Sequence, residues 1–210
     1  MVTIHGDFHQ ATTRFVGKLS KYMDHCDSTN ALGFQEALSA DIEEGFAWIA
    51  GHQTAGKGQR GNQWHAQPNQ NLLVSFLLKP NHELLQAQFY LSKAIANGIL
   101  IGLQQWASDT LGESLPLEIK WPNDIYLDGK KLGGILIESN FQAGKWAFSI
   151  VGIGLNINQL DFEGLRATSL REWTQNPQAI DIADIYNHIA HGIENQYEAF
   201  TGKAYTSIDS

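Results

Sequence analysis

The sequence predicts an α+β protein with a mixed β-sheet flanked by helices. Apolar runs of strand length alternate with segments whose apolar residues recur at helical spacing, and a block of short strands joined by a tight turn follows the longest helix. No linker rich in Pro, Gly or Ser divides the 210 residues. We therefore expect a single domain over residues 1–210.

In the N-terminal half the pattern predicts a short helix, a buried strand, a polar glycine-rich loop, a second strand and one long helix. In chain order these segments are residues 27–38, 46–50, 53–70, 71–78 and 84–106. Ser28 offers a hydroxyl at the N-cap of the first helix. The long helix is predicted from apolar residues that recur every three or four positions from Leu84 to Trp106.

The C-terminal half is predicted to be rich in strands. Pro122 cannot donate to a β-ladder and so separates two strand pieces, and Asp128-Gly129 is a two-residue hairpin signal. The predicted strand segments are residues 117–121, 123–127, 132–139 and 145–158, the last being one long strand or a strand pair. A final helix is predicted over residues 182–200, with Asp181 as its cap.

Charge and composition exclude several classes of protein. The net charge of −8 argues against binding to nucleic acid through a basic surface. No signal peptide or apolar run of membrane-spanning length is visible, so we expect no membrane association. Cys26 is the only cysteine, which excludes an internal disulfide and indicates a reducing compartment, the cytoplasm.

Two minor features each allow two interpretations. Cys26 beside His25 is a candidate nucleophile, although a lone cysteine is more often a small buried hydrophobic residue. His188 and His191 have the i, i+3 spacing of a metal-binding pair on the last helix, but no third ligand is placed, which favours a solvated helix face.

The glycine-rich segment Gly56–Gly61 matches the string G-x-G-x-x-G of dinucleotide-binding folds. That fingerprint must open a helix, whereas here Asn62 and Pro68 precede a strand, so we reject it. The glycines still allow close approach of the backbone to a ligand, and Lys57 and Arg60 add two cations. The segment is a candidate anion site; a flexible surface loop with incidental charges is the alternative.

Asn123 and Lys131 are candidate ligand contacts near the predicted hairpin. Asn123 follows a proline in a rigid segment, and its amide could read the edge of an adenine or simply belong to a turn. Strand parity predicts Lys131 on the same face as Gly133 and Ile135, which should be buried. Lys131 would then either reach solvent at the strand end or point into a polar cavity.

The segment Gly152–Asn158 predicts a strand with two different faces. The residues predicted to face the core are Ile153, Leu155 and Ile157. The opposite face carries Gly152, Gly154, Asn156 and Asn158. Two glycines followed by two amides would leave room for a flat ligand with hydrogen-bonding groups at its end; a bulged strand entering a turn is the alternative.

Five motifs occur together in one order, and their combination resembles the biotin protein ligases across residues of about 25 to 170. The motifs are Asp27–Asn30, Gln53–Asn62 with Trp64, Lys120–Tyr126, Lys130–Glu138 and Gly152–Asn158. The resemblance implies the fold shared by class II aminoacyl-tRNA synthetases and biotin/lipoate ligases. It also implies that biotin and MgATP form biotinyl-5′-AMP, from which a lysine of a biotin carboxyl carrier domain accepts biotin.

Residue roles follow from the same resemblance. The residues expected to hold biotin are Ser28, Thr29, Asn30, Gln53, Gly56, Lys57, Gly58, Gln59, Lys131 and Gly154. Those expected to contact ATP are Gln59, Arg60, Trp64, Asn123, Lys131 and Asn156. Lys131, Lys57 and Arg60 would be catalytic, neutralising charge as the anhydride forms. No resident metal site is expected, and Asp124 is a candidate contact for the magnesium that accompanies ATP.

The chain departs from the family pattern in three ways. Gln59 stands where many members have arginine, which implies weaker charge stabilisation, for which Arg60 could compensate. The segment before Asp27 is too short for a helix-turn-helix domain, so DNA binding is not expected, and the C-terminal β-barrel of the family is expected to be absent after Gln175. A lipoate-type ligase and a non-catalytic biotin-binding module remain alternatives, and a homodimer is left open.

Overall fold

The structure is a computed structural model that describes residues 10–80 and 87–202. Its centre is one seven-stranded sheet with the strand order β1-β2-β3-β7-β6-β5-β4. The strands are β1 (Ser20–Cys26), β2 (Ala47–Gln53), β3 (Asn71–Leu78), β4 (Leu117–Lys120), β5 (Asp124–Leu127), β6 (Lys130–Gln142) and β7 (Lys145–Asn156). β1 and β2 run parallel and the other neighbouring strands run antiparallel, so the predicted mixed sheet is confirmed.

Four α-helices lie within the described residues. They are α1 (Thr29–Ser39), α2 (Ala87–Leu111), α3 (Leu170–Thr174) and α4 (Ile182–Thr201). The three predicted helices are confirmed, and the hydroxyl of Ser28 and the carboxylate of Asp181 accept backbone N–H groups as N-caps. α2 continues past its predicted end at Trp106, whereas its predicted start at Leu84 lies outside the described residues. Within the described residues, no helix combines the length and apolar character that a membrane crossing requires.

The predicted strands are confirmed, but two short elements were not predicted. β1 is a partly exposed edge strand that lacks a continuous apolar run, and α3 has only five residues. The predicted break at Pro122 is a turn between β4 and β5. Asp128 and Gly129 have φ values of 51° and 70°, as a two-residue hairpin turn requires. β7 is one long strand.

Side chains alternate between the two faces of the sheet. One face packs with α2 and α4 in the main core, to which Phe76, Val151 and Ile153 belong. On the other face, Trp48 and Ile150 form a smaller cluster with residues of α1. Because α1 covers only part of this second face, the ends of β6 and β7 beside its N-terminus remain open to a ligand.

A β-bulge makes the predicted orientation of Lys131 wrong. Lys131 and Gly133 pair with consecutive residues of β5, so Leu132 is an extra residue in β6. One extra residue reverses the alternation of side chains, and Lys131 therefore shares its face with Gly134 and Leu136. The bulge thus brings the ammonium group to the open face of the sheet, away from the main core.

The two long helices approach each other through glycine. A Cβ atom on Gly98 would lie 2.7 Å from the Cα of Ile193 and 2.8 Å from the carbonyl oxygen of Gly192. These neighbours are backbone atoms, which cannot rotate away as a flexible side chain can. The contact therefore sets the distance between α2 and α4, and with it the packing of the main core.

We expect Gly98→Ala to lower the free energy of unfolding by about 1–3 kcal/mol, because the new methyl group overlaps the backbone of α4. This loss should exceed the gain in helix propensity of about 1 kcal/mol. Urea unfolding measures the change. Asn97→Ala, at an exposed position one residue away, is the control and should leave the stability unchanged or raised. Equal stability of the two variants would contradict the close packing.

Candidate active site

A hollow of about 240 Å³ opens on the second face of the sheet, beside the N-terminus of α1. Its wall contains all but two of the predicted site residues. Those in the wall are Ser28, Thr29, Asn30, Gln53, Lys57, Gly58, Gln59, Arg60, Trp64, Asn123, Lys131 and Gly154. Residues that are far apart in the chain thus meet because α1, the loop after β2, the turn before β5, and strands β6 and β7 all border the same space.

The end of the hollow next to α1 is built from buried polar side chains. Thr29 donates its backbone N–H to Oε1 of Gln53 at 2.8 Å, and its hydroxyl lies 3.1 Å from the same oxygen. The hydroxyl of Ser75 lies 2.7 Å from Oγ1 of Thr29 and 2.6 Å from Oδ1 of Asn30. Ser28, Thr29, Asn30 and Ser75 are at most 3% exposed. This end of the hollow therefore suits a polar head group that can exchange hydrogen bonds with it.

Side chains of the protein itself occupy the space beside the β7 glycines. A Cβ atom on Gly152 would overlap the amide of Asn30, and one on Gly154 would lie 2.5 Å from Cε2 of Trp64. The predicted alternation of faces is confirmed, since both glycines line the hollow. A ligand here would nevertheless meet Asn30 and the Trp64 ring rather than bare backbone.

Trp64 forms an aromatic wall beside a cation. Its ring centroid lies 5.6 Å from Nζ of Lys131, within the range of a cation–π contact. Its indole Nε1–H is buried and has no hydrogen-bond partner among the described residues. A buried donor without a partner is unfavourable, so an acceptor on a bound ligand would stabilise the ring in this place.

Cations dominate the charge of the wall. Lys57, Arg60 and Lys131 line the hollow, and Asp124 is the one carboxylate among the described wall residues. Nζ of Lys131 lies 2.8 Å from the Asp124 carboxylate, and both side chains are partly exposed. Lys57 and Arg60 are exposed on the loop, where Arg60 adopts a left-handed backbone within the short turn Gln59–Gly61. This excess of positive charge favours an anionic ligand.

Gly56 and Asn156 lie outside the wall of this hollow. A Cβ atom on Gly56 would come 2.5 Å from the carbonyl oxygen of Trp64, so this glycine allows the loop to fold on itself. The Asn156 amide donates to the carbonyl oxygen of Thr168 at 3.1 Å. The predicted ligand contacts of Gly56 and Asn156 stay predictions.

Two residues of the polar network were missed by the sequence analysis. Ser75 is fully buried, and its only signal is a hydroxyl inside the apolar run Asn71–Leu78. Glu138 accepts a hydrogen bond from the Asn30 amide at 2.9 Å. Its signal is an acidic residue near the end of the predicted apolar strand 132–139.

A second hollow, of about 560 Å³, adjoins the first and shares Trp64 with it. Phe162 and Leu165 contribute apolar surface, and Asp161 and Glu163 contribute negative charge. Among the described residues, no lysine or arginine lines it. The two hollows therefore differ in the charge that they favour, and only the first is suited to phosphate groups.

His188 and His191, the candidate metal-binding pair, both form hydrogen bonds within the chain. Nδ1 of His188 donates to the backbone carbonyl oxygen of Asp184 at 2.9 Å, and Nε2 of His191 lies 2.8 Å from the hydroxyl of Thr12. No three His, Cys, Asp or Glu side chains come together as a metal-binding group within the described residues. Cys26 is partly buried, and burial together with the nearby Asp27 charge raises the pKa of its thiol to about 11. Such a thiol is a poor nucleophile near neutral pH.

The family of the chain was identified by comparing its sequence with models of known protein families. The sequence model of the biotin/lipoate A/B protein ligase family matches residues 22–157. The chain belongs to this family. The match extends from β1 to the end of β7 and includes the wall of the hollow.

Several biotin/lipoate ligase family members resemble the chain closely. The bifunctional ligase/repressor BirA of Bacillus spizizenii is 32% identical over 202 residues, which are 93% of this chain and 59% of that protein. The biotin–[acetyl-CoA-carboxylase] ligase of Paracoccus denitrificans is 39% identical over 134 residues, which are 62% of this chain and 51% of that protein. The chain thus spans less than two thirds of the length of either relative.

Solved structures of the family share the fold. Biotin protein ligase from Aquifex aeolicus in complex with biotin and ATP superposes with a TM-score of 0.71 at 28% identity, covering 90% of this chain and 74% of that one. A mutant of the same Aquifex aeolicus protein in complex with biotin gives a TM-score of 0.70 at 28% identity, covering 90% of this chain and 73% of the mutant. The mixed sheet flanked by helices is therefore the arrangement of the family.

The raised pKa of Cys26 predicts slow alkylation. At pH 8 a thiol of pKa about 11 is about 0.1% thiolate, so iodoacetamide should react roughly a hundredfold more slowly than with a free cysteine. The rate should rise about tenfold per pH unit, because the pKa is raised and the thiolate forms only at higher pH. Mass spectrometry of the intact chain follows the reaction. A rate at pH 8 close to that of free cysteine would contradict the prediction.

Proposed function

We propose that this chain is the ligase core of a biotin protein ligase. It activates biotin with MgATP to biotinyl-5′-AMP and transfers biotin to a lysine of a biotin carboxyl carrier domain. The observation that carries the proposal is one hollow in which the cations Lys57, Arg60 and Lys131 border the buried polar groups of Ser28 and Thr29. The names of the relatives, and the related structure that contains biotin and ATP, support it.

The first step requires two anions to meet. A carboxylate oxygen of biotin attacks the α-phosphorus of ATP, and pyrophosphate leaves with the electron pair of the bond that breaks. Both reactants are negatively charged, so the protein contributes mainly by holding them together and by screening their repulsion. Lys131 suits this role because it lines the same hollow as Lys57 and Arg60, with its ammonium nitrogen 5.6 Å from the centroid of the Trp64 ring.

Asp124 forms an ion pair with Lys131 in the absence of substrate. The ion pair of 2.8 Å holds the ammonium group of Lys131 at the wall of the hollow. Both side chains are partly exposed, so the bond is weak enough to be exchanged for a contact with a substrate anion. Asp124 is also the one wall carboxylate, among the described residues, that could contact the magnesium of MgATP.

Substrate groups are assigned by matching their chemistry to the wall. The buried hydroxyls and amides of Ser28, Thr29, Asn30 and Gln53 would take the ureido head of biotin, which has both donors and an acceptor. The carboxylate and the phosphates would lie by the cations. Trp64 and Asn123 would contact adenine, Gly58 would let the substrates approach the backbone, and Gly154 makes room for the Trp64 ring. The adjoining hollow, with its acidic residues, is unsuited to phosphate.

In the second step the amine of the acceptor lysine attacks the carbonyl carbon of the mixed anhydride. AMP leaves with the bonding electrons, and the nitrogen loses its proton to solvent or to the leaving phosphate. No residue of this chain needs to become covalently attached. Lys57 and Arg60 are exposed, so the cationic side of the hollow is accessible to another protein domain. The single cysteine supports a reducing, cytoplasmic setting, while a homodimer and the absence of DNA binding remain predictions.

The decisive experiment incubates the chain with biotin, MgATP and a carrier domain and measures the mass of the carrier. Biotin-dependent exchange between ATP and pyrophosphate tests the first step separately. Transfer of lipoate rather than biotin would favour the lipoate-type ligase. Biotin binding without exchange would favour the non-catalytic module, and no binding of either acid would refute all three.

We expect Lys131→Gln to lower kcat/KM for adenylate formation by about 10²–10³-fold, because the charge that screens carboxylate from phosphate is lost. Pyrophosphate release measures the rate. Lys130→Gln is the matched control, since the neighbouring lysine pairs with Glu172 at the surface and lies outside the wall of the hollow. Similar losses in both variants would argue against a role for Lys131 in charge stabilisation.

Gln59→Arg is expected to slow the release of biotinyl-5′-AMP. An arginine adds a charge-assisted contact to an anionic intermediate, and such bonds are about twice as strong as neutral ones. A single-turnover reaction without carrier, followed by rapid filtration, measures the retained fraction. Unchanged retention would show that the neutral amide at this position does not weaken the hold on the intermediate.

A further inference from the structure

The backbone of Lys131 is held by a segment of the chain that follows β7. The pairing of β6 with β7 begins at Gly133, so it does not reach Lys131. Beyond the end of β7, the segment Arg166–Thr168 lies beside β6 and forms a parallel bridge with it. The N–H of Lys131 donates to the carbonyl oxygen of Arg166 at 3.2 Å, and its carbonyl oxygen accepts from the N–H of Thr168 at 2.9 Å. Both polar groups of the Lys131 backbone therefore bond to this segment.

Asn156 connects the segment to the end of β7. It is the last residue of the strand, and its side-chain amide donates to the carbonyl oxygen of Thr168 at 3.1 Å. Asn156 is 4% exposed and Thr168 is 2% exposed, so the bond is shielded from water. A buried carbonyl oxygen without a donor is unfavourable, so loss of this amide would displace the peptide group. Asn156 thus restrains the residue whose N–H bonds to Lys131.

The short helix α3 anchors the chain after this segment. The N–H of Arg171 donates to the carbonyl oxygen of Ile157 at 2.9 Å. The hydroxyl of Thr168 donates to the carboxylate of Glu172 at 3.1 Å. These contacts hold the first turn of α3 and the Thr168 side chain, whereas the Asn156 amide holds the backbone of Thr168 itself.

The two ends of the Lys131 side chain are held by different groups. The ammonium group pairs with Asp124 at 2.8 Å, and this partly exposed pair can be exchanged for a substrate anion. After that exchange, the position of the ammonium group depends on the backbone from which the side chain extends. The accuracy matters, because a misplacement of about 1 Å can lower a reaction rate by about a hundredfold.

We propose that Asn156 is a positioning residue that acts through Thr168 to hold Lys131 for adenylate formation. The inference rests on the proposed function, in which Lys131 screens the carboxylate from the phosphate. Asn156 lies outside the walls of both hollows, which favours this indirect role over contact with a substrate. The role predicts an effect on kcat, whereas the adenine contact implied by the family resemblance predicts an effect on KM for ATP.

Asn156→Ala is the first test. We expect kcat for adenylate formation to fall about tenfold, because Lys131 is retained but no longer held in place. KM for ATP should stay within about twofold, and pyrophosphate release measures both constants. Asn156→Leu keeps a side chain of similar size without a donor and should give the same result.

Asn158→Ala is the matched control. Asn158 is also buried near the end of β7, but its amide donates to and accepts from the backbone of Ile180, outside both hollows. We expect both alanine variants to lower Tm by about 5 °C, because each loses buried hydrogen bonds. Only Asn156→Ala should lower kcat. An equal loss of kcat in Asn158→Ala would overturn the proposal, since it would indicate a general structural effect.

A double variant tests whether the effect passes through Lys131. In a chain that already carries Lys131→Gln, the addition of Asn156→Ala should lower kcat by less than about twofold, because the lysine that it positions is absent. A further tenfold loss would overturn the proposal. A rise in KM for ATP with an unchanged kcat in Asn156→Ala would also overturn it and would assign Asn156 to nucleotide binding.

Hydrogen exchange followed by NMR provides a readout that does not depend on activity. The backbone amides of Lys131 and Thr168 should exchange at least about fivefold faster in Asn156→Ala and at an unchanged rate in Asn158→Ala. Unchanged exchange in Asn156→Ala would overturn the proposal. If the unaltered chain catalysed no biotin-dependent exchange between ATP and pyrophosphate, the proposed function would fail, and the assigned role in adenylate formation with it.

Discussion

The alternation of side chains along β6 and β7 is the constraint on which both the core and the hollow depend. One set of residues on these strands enters the main core against α2 and α4, and the other set forms the floor of the hollow. The bulge at Leu132 reverses this alternation at a single place. As a result, Lys131 reaches the floor without disturbing the apolar face, and a cation lies beside buried polar groups while the core stays intact.

Charge and hydrogen bonding divide the hollow into two regions. The region next to α1 contains neutral, hydrogen-bonded groups, and the region by the loop contains cations. A ligand with a polar head and an acidic tail matches this order along its length. The reaction that we propose needs this arrangement rather than a nucleophile, which is consistent with the raised pKa of Cys26.

Most of the sheet follows from local patterns in the chain. For the hollow, local patterns indicated the loop Gly56–Gly61, Asn123, Lys131 and the segment Gly152–Asn158, whereas the other wall residues were expected from the resemblance to the biotin protein ligases. Strand β3 and the hairpin at Asp128 have strong signals, in a continuous apolar run and in a turn that only a few residue types adopt. The edge strand β1 lacks such a run, because it is only partly covered. The bulge could not be predicted, since it depends on pairing between strands. The same is true of Ser75 and Glu138, because their hydrogen bonds with Asn30 form only when α1 packs against the sheet.

Trp64 belongs to the walls of both hollows, and this sharing has a thermodynamic consequence. A ligand that moves the indole ring in one hollow also changes the volume available in the other hollow. If a ligand in one hollow changes the binding free energy of a ligand in the other, the second ligand changes that of the first by the same amount. A ligand that displaces the indole ring from Gly154 would therefore change the binding free energy in both hollows.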